Sequence, residues 1–231
     1  MKTIGLIGGM SWESTQIYYR LMNQKVRDEL GGLHSAKLIL YSVDFAEIET
    51  LQQRGAWQAA GEILATAASA VESAGADVVV LCTNTMHKVA PQIEQAISTP
   101  FLHIADATAN VLKKEGVTRV GLLGTAFTME QAFYRSRLEE QGIEVVIPDD
   151  RQRARIHAVI FNELCRGEIK AASKAAYLEV VASLAARGAQ GVILGCTEIG
   201  LLIQSADTDV RLFDTTAIHA EQAVQYALGR F

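Results

Sequence analysis

Gly188-Ala-Gln-Gly-Val-Ile-Leu-Gly-Cys196-Thr-Glu-Ile-Gly200 and Gly75-Ala-Asp-Val-Val-Val-Leu-Cys-Thr83-Asn-Thr-Met-His87 lie one on the other without a gap. Gly75 falls on Gly188, the apolar runs coincide, and Cys196 falls on Thr83 while Cys82 falls on Gly195. Each stretch is a short apolar run entered through glycine and left through polar residues, the pattern of a buried strand running into a loop. One design occurs twice, with a thiol at one strand end and a hydroxyl at the other.

Working outward, the same alternation continues. Residues 3–8 read as a strand that ends in Gly8-Gly9, residues 11–29 as a helix capped by Ser11 or Ser14, and residues 37–43 as a second strand. An Ala-rich helix over 57–73, a strand over 77–82, a helix over 88–96 and a strand over 101–104 complete one half. The pattern then restarts, since Gly121-Leu-Leu-Gly124 resembles Gly5-Leu-Ile-Gly8. Strands are expected at 119–124, 144–147, 191–194 and 211–213, and helices at 129–141, 152–165, 171–187 and 216–228. Such alternation implies an α/β fold with parallel sheets flanked by helices. Two pseudo-symmetric domains are expected, one of residues 1–105 plus 208–231 and one of 106–207. Loops at the carboxyl ends of parallel strands bind ligands in such folds, which puts the site in the cleft between the domains.

Composition narrows the partners. The chain has 231 residues and a formal net charge of -5, with Lys and Arg scattered, which argues against a nucleic-acid or membrane-surface partner and leaves small anions open. Three cysteines without framework or metal-ligand spacing suit a reducing compartment, and neither a leader nor an apolar run of membrane-spanning length is seen. A cytoplasmic protein without a metal is expected. Homodimerisation through an exposed helix stays open.

Successive strand residues face opposite ways, so Cys82 and Thr83 cannot share a cleft, and the repeat selects Thr83. Cys82 and Cys165 read as core thiols. Cys196, just past its strand, sits where backbone donors and a helix start would lower a thiol pKa from about 8.5. Glu198 is placed to hydrogen-bond that thiol or a substrate ammonium. Gly8-Gly9-Met10-Ser11 lacks the third glycine of a dinucleotide fingerprint, so its amides are better assigned to a substrate carboxylate, with Thr125 and Thr128 doing the same in the second half. Arg166 and Lys170 are candidate cations for a side-chain carboxylate. Gln52 and Arg54, in a loop-like segment after the second strand, are candidate orienting groups, and His87 and His103 read as satisfied core or turn histidines.

At Gly8-Gly9-Met10, Thr83-Asn84-Thr85-Met86-His87 and Gly195-Cys196-Thr197-Glu198 the chain resembles the aspartate/glutamate racemase superfamily over essentially its whole length. The resemblance implies a cofactor-independent isomerase of a small amino acid, with one cysteine from each half working on opposite faces of the α-carbon. Cys196 matches the second-half cysteine, on the face of the L-enantiomer, whereas Thr83 stands where the first-half cysteine would. Asn84, Thr85 and Thr197 match positions that bind the substrate's carboxylate and ammonium, and Met10 belongs to the first-turn motif. Gln52 stands in for a family arginine, and Lys170 or Arg166 for a helix-end lysine. Single-thiol relatives imply an alternative, a decarboxylase or isomerase of a small dicarboxylate. A non-catalytic small-carboxylate binding protein is the third reading.

Overall fold

The computed structural model describes residues 1–230. The described residues divide into two compact units, residues 1–104 with 219–230 and residues 105–218. In the first, β1 (Ile4–Gly8) and β3 (Val78–Leu81) are apolar runs with every residue buried. They form the centre of a parallel sheet in the order β2-β1-β3-β4, with β2 at Leu38–Ser42 and β4 at Phe101–Leu102. Side chains alternate between two cores. Ile7, Val79 and Leu81 meet Leu64, Ala67, Ala68 and Val71 of α3 (Trp57–Ser73) and Ile93 of α4 (Ala90–Ala96), with Ile48 of α2 (Phe45–Gln53) in the same cluster. Ile4, Leu6, Val78, Val80 and Cys82 turn to the other face, against Tyr18, Met22 and Val26 of α1 (Trp12–Leu30) and Ala220, Ala223 and Val224 of α11 (Thr215–Ala227). Each such apolar side chain contributes about 1.5–3 kcal/mol of burial, so Leu81→Ala is the kind of single change that would break this layer.

The second unit repeats the order as β6-β5-β7-β8, again all parallel, with β5 at Arg119–Gly124, β6 at Glu144–Val146, β7 at Val192–Gly195 and β8 at Leu212–Asp214. Its helices are α5 (Ile104–Lys114), α6 (Ala126–Glu130), α7 (Ala132–Glu139), α8 (Asp150–Asn162), α9 (Ala171–Ala186) and α10 (Ile199–Leu202). α5 starts on the last residue of the first unit, and α11 re-enters that unit at His219.

Four expectations change. The boundary at 208 moves to 219, because Leu212–Asp214 pairs with Val192–Gly195 and belongs to the second sheet. The segment after β2 is a helix, capped by the Asp44 carboxylate accepting from the Ala46 amide at 3.1 Å, and Gln52 lies on it rather than in a loop. β4 stops at Leu102 and Asp106 sits in the first turn of α5. The helix expected over 129–141 is two, α6 and α7, broken at Gln131, which is extended (ψ 149°).

Candidate active site

The first-unit site starts at the end of β3. The Cys82 amide still bonds the Ile7 carbonyl (2.9 Å), while the Thr83 amide turns back to Leu81 (2.9 Å), so the strand ends between them. Cys82 points into the α1 and α11 core, where burial pushes its thiol well up. Thr83, Asn84, Thr85 and His87 are all buried. The His87 ring spans the turn: Nδ1 lies 2.7 Å from the Thr83 carbonyl, and Nε2 accepts the Ile104 amide at 3.2 Å. A carbonyl cannot donate and an amide N–H cannot accept, so these partners require a neutral ring with its proton on Nδ1. His219 is fixed the same way in the opposite tautomer. Its Nε2 donates to the Leu102 carbonyl (2.8 Å), its Nδ1 accepts from the Tyr18 hydroxyl (2.9 Å), and burial pushes its pKa down to about 4.

The Gly8-Gly9 turn is tighter than its expected role allows. Gly9 adopts φ +94°, and a Cβ there would lie 2.2 Å from the Val43 carbonyl oxygen, so only glycine fits. Its amide donates to Thr15 Oγ1 of α1 at 2.8 Å and is spent on that helix rather than offered to a carboxylate. Met10 is buried in the α3-side core, and Gln52 reaches Met86 Sδ with its Nε2 at 2.9 Å.

In the second unit β7 ends at Gly195, where a Cβ would lie 2.7 Å from the Leu123 carbonyl oxygen; that crowding explains why a glycine stands opposite Cys82 in the repeat. Cys196, Thr197 and Glu198 follow, each at most 8% exposed. The Cys196 thiol donates to Glu198 Oε2 at 2.9 Å, and the Thr197 hydroxyl donates to the same oxygen at 2.7 Å. The thiol pKa is raised well above its ordinary value, against the lowering expected from sequence. Burial is the main cause, followed by the Glu198 carboxylate and the nearby Cys165; a hydrogen bond from the Glu198 backbone amide acts in the expected direction and is outweighed.

The remaining candidates separate by setting. Thr125 caps α6, accepting from the Thr128 amide (3.3 Å) with the two hydroxyls 3.2 Å apart. The amide of Ala126, one residue on, donates to His157 Nδ1 at 3.1 Å. Lys170 is half exposed, its ammonium 3.0 Å from Glu168 and 3.6 Å from Glu163. Cys165 is only partly buried, in a short 3-10 helix (Leu164–Arg166) that follows α8. Sequence reading missed Tyr177, whose buried phenol is pushed up first by desolvation and then by Cys196 and Glu163; its place on the buried stripe of α9 (Ser173, Ala176, Tyr177, Val180) was the available signal. Among the described residues no group of three His, Cys, Asp or Glu is placed to hold a metal ion, and no helix is long and apolar enough to cross a membrane.

The model of the Asp/Glu/hydantoin racemase family matches residues 7–223. Among curated proteins, the broad specificity amino-acid racemase RacX of Bacillus subtilis is 28% identical over 161 residues, covering 69% of this chain and 68% of that one. Among solved structures, a candidate Asp/Glu racemase from Yersinia pestis is 58% identical with a TM-score of 0.92, covering 99% of this chain and 100% of that one. An aspartate racemase homologue from Pyrococcus horikoshii is 37% identical with a TM-score of 0.86, at the same coverage.

Proposed function

The chain belongs to the Asp/Glu/hydantoin racemase family and is an amino-acid racemase, and we propose that it interconverts the enantiomers of aspartate, glutamate or a similar small amino acid through Cys196 and Thr83. The observation that supports this most is the repeat itself: the Cys196 turn and the Thr83 turn leave the third strand of each sheet at the same place. Cys196 takes the α-proton of the L-enantiomer, the resulting carbanion is delocalised into its carboxylate, and a proton returns from the Thr83 side. Asn84, Thr85 and Thr197 hold the α-carboxylate and ammonium. Met10, Gln52, Thr125 and Lys170 are weaker candidates for substrate contact, Lys170 most of all because carboxylates already neighbour it.

A threonine hydroxyl is a far weaker acid than a thiol, so water must relay the proton on that side and turnover is slowed. The two enantiomers have equal free energy, so kcat/KM is the same in both directions whatever groups do the work. Incubation of the enzyme with L-aspartate and L-glutamate in D2O should put deuterium at Cα and give the D-enantiomer by chiral chromatography. Cys196→Ser should lower that exchange by about a thousandfold or more. Wild-type enzyme that exchanges no amino acid would remove this reading.

The replacement of the first-half thiol by Thr83 favours one second reading, a single-thiol decarboxylase or isomerase of a small dicarboxylate. Release of carbon dioxide from a substituted malonate, or isomerisation of maleate, with Cys196 required and amino acids inert, would establish it instead.

A further inference from the structure

Cys196 does not leave the second sheet alone. β5 and β7 are neighbouring parallel strands, about 4.8 Å apart, and Gly124 pairs with Gly195, so Thr125 and Cys196 emerge side by side. α6 begins at that point and rests on both glycines. A Cβ on Gly124 would lie 3.2 Å from the Thr128 methyl and one on Gly195 would lie 3.4 Å from it, so two bare strand ends form the floor under the first turn of α6.

A five-residue helix does not hold itself in place, because so few hydrogen bonds do not offset the cost of ordering it. Thr125 caps it from within. The ties from outside come from α8. Arg153 pairs with Glu130 at the far end of α6 (2.9 Å), and one turn later on the same face of α8 the His157 Nδ1 accepts the Ala126 amide at the near end (3.1 Å). The imidazole lies between Phe127 and Phe161, with ring centroids 5.9 Å and 4.8 Å away. An amide N–H can only donate, so Nδ1 carries no proton and the ring hydrogen is on Nε2. Burial lowers the ring's pKa from 6.5, with the Glu130 carboxylate opposing, which keeps Nδ1 an acceptor at neutral pH.

We propose that His157 is a positioning residue for racemisation: by accepting the Ala126 amide it keeps Thr125 beside Cys196, where Thr125 takes the substrate's carboxylate. The Thr125 contact rests on the racemase reading; the hold on the turn does not. The Ala126 nitrogen ends the planar peptide unit that starts at the Thr125 Cα, so a bond to it fixes the Thr125 ψ (160°) relative to α8. A tie that served the fold alone would cost stability when cut. One that positions Thr125 costs substrate affinity and leaves the proton transfer intact, because Cys196 stays where β7 puts it.

The test compares His157→Phe, which keeps an aromatic ring but offers no acceptor, with His157→Asn, whose Oδ1 reaches the place of Nδ1. The first readout needs no substrate. Exchange of the Ala126 amide, followed by NMR, should quicken by about tenfold or more in His157→Phe and return to within about threefold of wild type in His157→Asn. The second is racemisation of L-aspartate and L-glutamate, where slow chemistry lets KM report affinity. In His157→Phe KM should rise about tenfold with kcat within about threefold of wild type, and His157→Asn should recover KM. The third puts His157→Phe into a Thr125→Val background, where it should change KM by less than about twofold because the contact it serves is already gone. A KM within about threefold of wild type in folded His157→Phe overturns the proposal, as does a fall in kcat at unchanged KM. Effects that simply multiply in the double variant, or His157→Asn restoring Ala126 exchange without restoring KM, overturn it as well and make His157 a fold residue. Unchanged Ala126 exchange in His157→Phe overturns the hold itself, whatever the substrate. Wild-type enzyme inactive on both amino acids removes the racemase reading and the Thr125 contact with it, while Ala126 exchange separately decides the hold.

Discussion

The turns after β3 and β7 begin from the same run of residues and are secured in opposite ways. After β3 an imidazole four residues on holds a backbone group, His87 Nδ1 donating to the Thr83 carbonyl. After β7 a carboxylate two residues on holds a side chain, Glu198 accepting from the Cys196 thiol. In the repeat the partner of Glu198 is Thr85, so the first turn carries neither the carboxylate nor the sulfur. The first arrangement fixes where Thr83 is, and the second fixes what Cys196 can do with a proton. The repeated strand end sets the same starting point, and the side chains that follow it differ at each of the five positions from 83 to 87 against 196 to 200.

The largest expected effect comes from erasing the difference at the reacting atom. Thr83→Cys gives both turns a thiol, several pKa units more acidic than an alcohol, and even two units correspond to about a hundredfold in rate. Turnover should rise by about that factor from both enantiomers, because equal free energies force kcat/KM to move together. Chiral chromatography of initial rates from each enantiomer checks this, and a gain in kcat/KM from one side only would mean that the measurement had not reached true initial rates. No gain at all would mean that Thr83 does not serve the reacting face.

Much of that comparison was readable in the chain itself. The two glycine-entered apolar runs fixed the parallel strands, since buried parallel strands are nearly continuous in Val, Ile and Leu, and they put Thr83 and Cys196 at matching strand ends. What escaped was of two kinds. α2 and α5 were passed over because Asp44 reads equally well as a loop residue or a cap, and because Ile104 continues the apolar run of a strand whose ladder has already ended at Leu102. The edge strand β8 falls in the wrong half because a boundary at 208 cuts between it and β7, the strand just before it in the chain, with which it pairs. The second kind is electrostatic. Sequence supplied the donors near Cys196 but not the burial, and burial reverses the sign of the thiol shift. His87 shows the same limit, as its partner Ile104 lies seventeen residues away.

A smaller effect is expected from loosening the first turn without touching its hydroxyl. His87→Phe keeps an aromatic ring and removes the hydrogen bonds to the Thr83 carbonyl and the Ile104 amide, at a cost of about 1–3 kcal/mol each. Beyond that loss of stability, D-enantiomer formation should fall about tenfold while deuterium wash-in to recovered L-substrate, which belongs to Cys196, stays near wild type. His87→Asn restores a donor near the Thr83 carbonyl and should recover D-enantiomer formation more fully than it recovers stability. Equal loss of both readouts would make His87 a fold residue only.

The smallest effect tests the imidazole-held half by pH. His219 has its folded pKa lowered from 6.5 to about 4 by burial, so it must lose stabilising contacts when it charges. A depressed folded value means that the unfolded chain binds the extra proton first: stability is fully present above about pH 6.5 and is lost as pH falls toward 4. The loss is about 1 kcal/mol by pH 6 and reaches about 3 kcal/mol when both states are charged. The strain falls first where the ring is anchored, at the Tyr18 hydroxyl bond to Nδ1, because a protonated Nδ1 can no longer accept it. Denaturant titrations of wild type and His219→Gln between pH 7 and 4 should therefore converge, the variant starting less stable and losing less. Parallel slopes for the two would place the acid sensitivity elsewhere than at the His219 ring.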